Sequence, residues 1–210
     1  HPPPPPHPIP DPPPHTHTPL IAGGGLIGVD MAEMLRTRDI QVIFLIRENE
    51  FWDGVLPPEE AKLIGRHIEE HHIDLRKQTE LKEIHGGENG RVVSVTTNHD
   101  ELIPCQYVGL TVGVSPNVDF LKTSGVEINR GVLIDRYFRK NLDQVYAIGD
   151  CAEFREPLPN RRPVEQVWYT GRMHGETVAR TIMGEETAYK PGIWFNSAKF
   201  FDIEYQTYGH

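Results

Sequence analysis

Apolar residues come in short unbroken runs set between charged stretches. Leu20-Ile21-Ala22 is one such run and Val42-Ile43-Phe44-Leu45-Ile46 is another. Runs of this length fit strands buried on both faces, as in a parallel sheet covered by helices. Between them, residues 26–38 read as a helix. A second helix opens at Pro57-Pro58, where the missing amide donor costs nothing, and runs to about His72. Ile73-Asp74-Leu75 is expected as the next strand. Residues 80–84 and 91–97 flank His85-Gly86-Gly87-Glu88-Asn89-Gly90, whose glycines and asparagine mark the turn of a hairpin. Residues 106–112 carry the chain back. Further strands are expected at 131–135 and 145–148, and residues 162–183 read as mostly helical. This order predicts an α/β fold, with a parallel sheet flanked by helices, a β-meander, and further strands and a helix behind them.

Composition narrows the classes. Residues 1–18 hold ten prolines and four histidines without a periodic apolar pattern. Such a segment cannot bury a core and is expected to be a disordered tail. The chain as a whole has 210 residues, 38% hydrophobic and 24% charged, with a net charge of −9. That charge argues against nucleic acid or an anionic membrane as the main partner. No stretch has the length or apolarity of a membrane span or of a signal-peptide core, so a cytoplasmic location is expected. Cys105 and Cys151 lie far apart with no C-x-x-C pair, which reads as two reduced thiols.

Three segments carry candidate chemistry. Gly23-Gly24-Gly25-Leu26-Ile27-Gly28 is a G-x-G-x-x-G turn between the first strand and the first helix. In such a turn Gly23 permits the tight bend, Gly25 lets the backbone approach a pyrophosphate, and Gly28 allows close packing of helix on strand. The helix behind it presents free amides and its positive end to phosphate. Arg47-Glu48 end the second apolar run, where a residue contacts the adenosine ribose: an arginine there accommodates a 2′-phosphate and an acid accepts from a free 2′-hydroxyl. Arg47 leans slightly to NADPH, while Glu48 could serve NADH. The other two segments are Thr111-Val112-Gly113-Val114-Ser115-Pro116-Asn117 and Val145-Tyr146-Ala147-Ile148-Gly149-Asp150. His67-Ile68-Glu69-Glu70-His71 also spells H-x-x-E-H, with both histidines on one helical face. No third ligand is evident nearby, so a solvated charged face is the better reading and no metal is expected.

Taken in order, the glycine turn, T-x-G-x-x-P-N and Y-A-x-G-D resemble the pyridine nucleotide-disulfide oxidoreductase family, in its ferredoxin-reductase-like branch. Trp194-Phe195-Asn196-Ser197 and Phe201-Asp202 are similar to the opening of that branch's C-terminal domain. The resemblance implies a tail at 1–18, an NAD(P)-binding Rossmann domain at 19–112, the C-terminal part of an FAD-binding domain at 113–183, and the start of an interface domain at 184–210. It implies FAD and NAD(P) as cofactors. Gly23, Gly25, Gly28, Asp30, Arg47 and Glu48 would then contact NAD(P), with Asp30 standing where the family usually has glutamate. Gly113, Pro116, Asn117, Gly149, Asp150 and Trp168 would face the flavin, and His174 replaces a family glutamine. The implied activity is passage of hydride and electrons from NAD(P)H through flavin to an acceptor protein, and the resemblance is compatible with a homodimer. No residue is assigned an acid–base role. A first, FAD-binding glycine fingerprint is not found ahead of the turn, so the chain is expected to be a fragment lacking the first half of the flavin domain. The alternatives are a nucleotide-binding remnant without turnover and a single-cofactor NAD(P)-dependent Rossmann dehydrogenase.

Overall fold

Every residue of the first strand, β1 (Pro19–Ala22), is buried, because it lies inside a sheet covered on both faces. In the computed structural model, which describes residues 18–209, β1 leads through the glycine turn into helix α1 (Leu26–Arg36). Then come β2 (Val42–Leu45), helix α2 (Pro58–Glu70) and β3 (Ile73–Arg76). A meander of β4 (Leu81–Gly86), β5 (Val92–Thr97) and β6 (Leu102–Pro104) follows, and β7 (Tyr107–Leu110) returns to the sheet. The sheet order is β3-β2-β1-β7 with every pairing parallel, while β4-β5-β6 form a separate antiparallel sheet.

Two-residue periodicity divides the sheet's side chains between its faces. Leu20 and Ala22 of β1 and Leu45 of β2 pack with Val95, Ile103 and Cys105 of the meander side. Phe44 lies toward the opposite face, where its ring meets Phe51 at 6.1 Å and comes close to Gly28 of α1. On that side α1 buries Val29 and Ala32, and α2 buries Ala61, Ile64 and Ile68. Each fully buried Leu, Ile or Phe contributes about 1.5–3 kcal/mol, so this two-sided core holds the C-terminal strand ends in place.

Among the described residues, 18–113 together with Phe200–Ile203 form one compact unit, and Val114–Lys199 with residues 204–209 form a second. In the second unit β8 (Val132–Ile134) pairs in parallel with β9 (Ala152–Phe154). Helix α3 (Trp168–Ile182) follows, then the paired strands β10 (Phe195–Phe200) and β11 (Ile203–Tyr208). Its core gathers Ile134, Phe138, Phe154, Val178 and Tyr189.

Three expectations need correction or placement. Residues 145–148 are not a strand; they make one bridge, Arg139 with Tyr146, and the partner of β8 is Ala152–Phe154 instead. Val145 and Ile148 are exposed, so the apolar spacing there does not reflect a buried sheet position. The last helix begins at Trp168 rather than 162, since residues 155–167 are irregular. The expected disorder of the tail concerns residues that, apart from Thr18, lie outside the described ones. No helix among the described residues is long and apolar enough to cross a membrane.

Candidate functional site

The glycine turn is shaped by what surrounds it. Gly23 has φ +125°, and a Cβ on it would lie 2.4 Å from the Thr111 carbonyl oxygen. A Cβ on Gly28 would lie 2.5 Å from the Gly23 carbonyl oxygen and 3.0 Å from the Phe44 ring. Neither position admits a side chain. Gly25, by contrast, has nothing among the described residues within 4 Å of its Cβ position, so its backbone faces open space. Gly25 also caps α1 without a side-chain hydrogen bond, leaving the helix's first amides and its positive end directed at that space. Thr111, at the end of β7, secures the turn from the other side. Its Oγ1 donates toward the Gly23 and Ala22 carbonyls at 3.0 and 3.2 Å, and its amide donates to Ala22 at 2.8 Å.

A cleft of about 550 Å³ opens at the C-terminal ends of β1, β2 and β7, lined by Gly23, Gly24, Gly25, Thr111 and Gly113. A neighbouring cleft of about 620 Å³ shares Gly24, Arg47, Glu48 and Glu80 with it and adds Trp52. Ligands of open α/β sheets bind at these strand ends. At the boundary of the two clefts stands Glu48. Its Oε1 accepts from Arg47 Nε at 2.9 Å. Its Oε2 is buried without a hydrogen-bond partner among the described residues and lies 3.2 Å from the Cβ position of Gly24. A buried carboxylate oxygen without a donor is costly, and a ligand hydroxyl there would satisfy it. Arg47 points outward, 74% exposed against 29% for Glu48, and its pairing with Glu48 raises the guanidinium pKa further.

The other site residues read from the sequence fall in different places. Gly28 is buried beneath the turn and acts through packing, and Asp30 is exposed on α1, away from the lining of either cleft. Gly113 lines the first cleft. In the second unit, Gly149 and Asp150 form a tight 3₁₀ turn with Cys151; Gly149 has φ +76° and Asp150 is exposed. Pro116 is partly exposed and Asn117 exposed. Trp168, the first residue of α3, is 69% exposed and meets Tyr169 edge-on at 5.1 Å. Its helix begins with no side-chain cap, so free amides and a positive end are available to a negatively charged ligand.

Sequence reasoning missed the supports beneath that turn. The amide of Gly149 donates to His174 Nδ1 at 3.1 Å, which tethers the Gly-Asp turn to α3. That bond places the ring's proton on Nε2. His174 is packed against Phe138, Phe154 and Tyr189. Burial, with Arg161 adding to it, pushes its pKa down to about 4, so the ring is neutral at pH 7. Arg161 itself forms a buried pair with Glu165 at 3.0 Å, and Glu165 Oε2 also accepts from Thr170 Oγ1. The histidine-for-glutamine replacement was visible in the sequence; its burial and its bond to Gly149 were not.

A family model described as pyridine nucleotide-disulphide oxidoreductase matches residues 10–175. The chain belongs to that family. It is 31% identical to a ferredoxin–NAD(P)(+) reductase of Sphingomonas sp over 90% of this chain and 46% of that protein. It is 28% identical to a rubredoxin-NAD(+) reductase of Alcanivorax borkumensis over 84% of this chain and 44% of that one. Among solved structures, a ferredoxin reductase from Rhodopseudomonas palustris shares the fold at TM-score 0.82 and 23% identity, over 92% of this chain and 47% of its own. The chain thus spans about half the length of the curated relatives it matches.

Proposed function

We propose that this chain supplies the nicotinamide-nucleotide site and part of the flavin-facing surface of an NADH-dependent flavoprotein reductase. The observation that carries the reading is the unpartnered Glu48 Oε2 beside the glycine turn. It offers an acceptor where a free ribose 2′-hydroxyl would donate, and a 2′-phosphate there would meet a carboxylate. Arg47 Nε donates to the other oxygen of this carboxylate, which holds Glu48 in place.

The residues present fit both cofactors. For the dinucleotide, the open space at Gly25 and the uncapped start of α1 receive a pyrophosphate, and Glu48 fixes the adenosine end. For FAD, the Gly149-Asp150 turn offers an exposed carboxylate to ribityl hydroxyls, and the uncapped start of α3 offers a positive end that favours negative charge on the ring. Gly113, Pro116, Asn117 and Trp168 complete the proposed flavin contacts. FAD, when bound, supplies the two-electron acceptor for hydride and the one-electron donor to a protein acceptor. The protein's own part is to bind, align and exclude water; no side chain is assigned a proton-transfer role. An electron-acceptor protein as partner is supported by the names of the relatives, which include reductases of ferredoxin and rubredoxin. The test is anaerobic addition of NADH to this chain joined to a family member's N-terminal flavin half and loaded with FAD. Loss of the oxidised-flavin absorbance is expected, and an unchanged spectrum with NADH bound would overturn the reading.

A further inference from the structure

The third ligand missing from the H-x-x-E-H segment is supplied from 135 residues away. Phe200–Ile203 folds onto α2 as part of the first unit. There Asp202 Oδ1 lies 2.5 Å from His67 Nε2 and 3.6 Å from His71 Nε2. The three donor atoms all fall within 4.8 Å of one another. We propose that His67, His71 and Asp202 form a binding site for a divalent transition cation of the zinc type, which fastens the Phe200–Ile203 segment to α2.

The donor set suits such an ion. Two imidazole nitrogens and one carboxylate oxygen are zinc ligands, and tetrahedral zinc holds neighbouring donors about 3.4 Å apart. The observed His–Asp separations of 2.5 and 3.6 Å bracket that value. Both rings present the same nitrogen, Nε2, to Asp202, and His71 has its other nitrogen hydrogen-bonded behind. His71 Nδ1 is 2.9 Å from the His67 carbonyl oxygen, and His67 Nδ1 is 3.8 Å from Glu70 Oε2. For His71 that carbonyl keeps the proton on Nδ1 and leaves the Nε2 lone pair free for a metal, whereas His67 Nε2 donates to Asp202 in the metal-free chain and releases that proton when an ion binds. The ring of His71 is stacked on Phe201 at 4.3 Å and 21°, which fixes its plane. Asp202 is exposed and the two histidines are partly so, which gives an ion a path from solvent and leaves coordination positions for water.

The tail histidines His1, His7, His15 and His17 can also take up metal, so the test compares variants of the whole chain. Zn²⁺ is titrated in competition with a chromophoric chelator into the wild type, His71→Phe and Asp202→Asn. Phenylalanine keeps the stacking on Phe201, and asparagine keeps the shape of the turn. One site is expected in the wild type that is weakened at least ~10-fold in either variant, with Glu70→Gln weakened less. Co²⁺ in the wild type is expected to give visible bands of a low-coordinate centre that disappear in His71→Phe. Should a variant fold poorly, the wild type alone decides: Zn²⁺ must shift the ring resonances of His67 and His71. Zinc uptake equal in all the variants, ring resonances that do not move, or no uptake by the wild type would each overturn the proposal.

Discussion

The neutral, buried His174 makes the second unit's stability depend on pH in a defined direction. In the folded chain its pKa is held at about 4, against an ordinary value of 6.5. Between those values the unfolded chain binds a proton that the folded one refuses, so stability rises with pH across this window. The contribution is complete above about pH 6.5, declines as pH falls, and is exhausted near pH 4. The gap corresponds to about 3 kcal/mol in all. His174→Gln is the informative perturbation, because a glutamine oxygen can still accept from the Gly149 amide while the titrating group is gone. Native-state hydrogen exchange of α3 amides between pH 4.5 and 7.5, corrected for intrinsic exchange rates, gives the local free energy. The wild type should lose roughly 2 kcal/mol of protection over that range relative to His174→Gln. Parallel pH dependences in the two proteins would refute the reasoning, and would mean that the ring is hydrated or protonated in the native state.

Two further outcomes follow from contacts in the first unit. Gly28→Ala places a methyl 2.5 Å from the Gly23 carbonyl oxygen and 2.9 Å from Thr111 Oγ1, so the turn must open. The cost should be about 1–3 kcal/mol by urea denaturation, with dinucleotide affinity falling at least ~10-fold; an unchanged affinity would separate the turn from binding. Cys105 is fully buried and its thiol is pushed up to about 11 by desolvation, whereas Cys151 is partly exposed. An aromatic disulfide reagent at pH 8 should therefore titrate one thiol in the native protein and two after unfolding.

The parts of this molecule that could be read from the sequence are those specified locally. The turn at Gly23 to Gly28 joins a short apolar run to a helix, and two of its glycines, Gly23 and Gly28, are required by backbone contacts a few residues away or across one strand pair. The parallel order of the first unit followed from runs such as Val42 to Leu45, whose burial on both faces leaves no alternation. Residues 145–148 misled because apolar spacing does not reveal whether a neighbouring strand is available to pair; the chain bends first and pairs later, at Ala152–Phe154. The bond from Gly149 to His174 and the approach of Asp202 to His67 join residues far apart in sequence, and only the folded chain brings them together. Glu48 and Arg47 are an intermediate case. Their position was legible, but which of them turns inward depends on packing around Gly24 and Ile46.

That orientation underlies the claim that the cleft is built for NADH, and affinity measurements with the two nucleotides test it most directly. NADH and NADPH should be titrated into the wild type and into Glu48→Ala. Charge-assisted hydrogen bonds of about 1.5–3 kcal/mol correspond to roughly 10- to 150-fold in affinity. The wild type is expected to bind NADH more tightly than NADPH, and Glu48→Ala to lose that preference through weaker NADH binding while NADPH binding holds or improves. A wild type that favours NADPH, or an NADH/NADPH affinity ratio left unchanged by the substitution, would contradict the account.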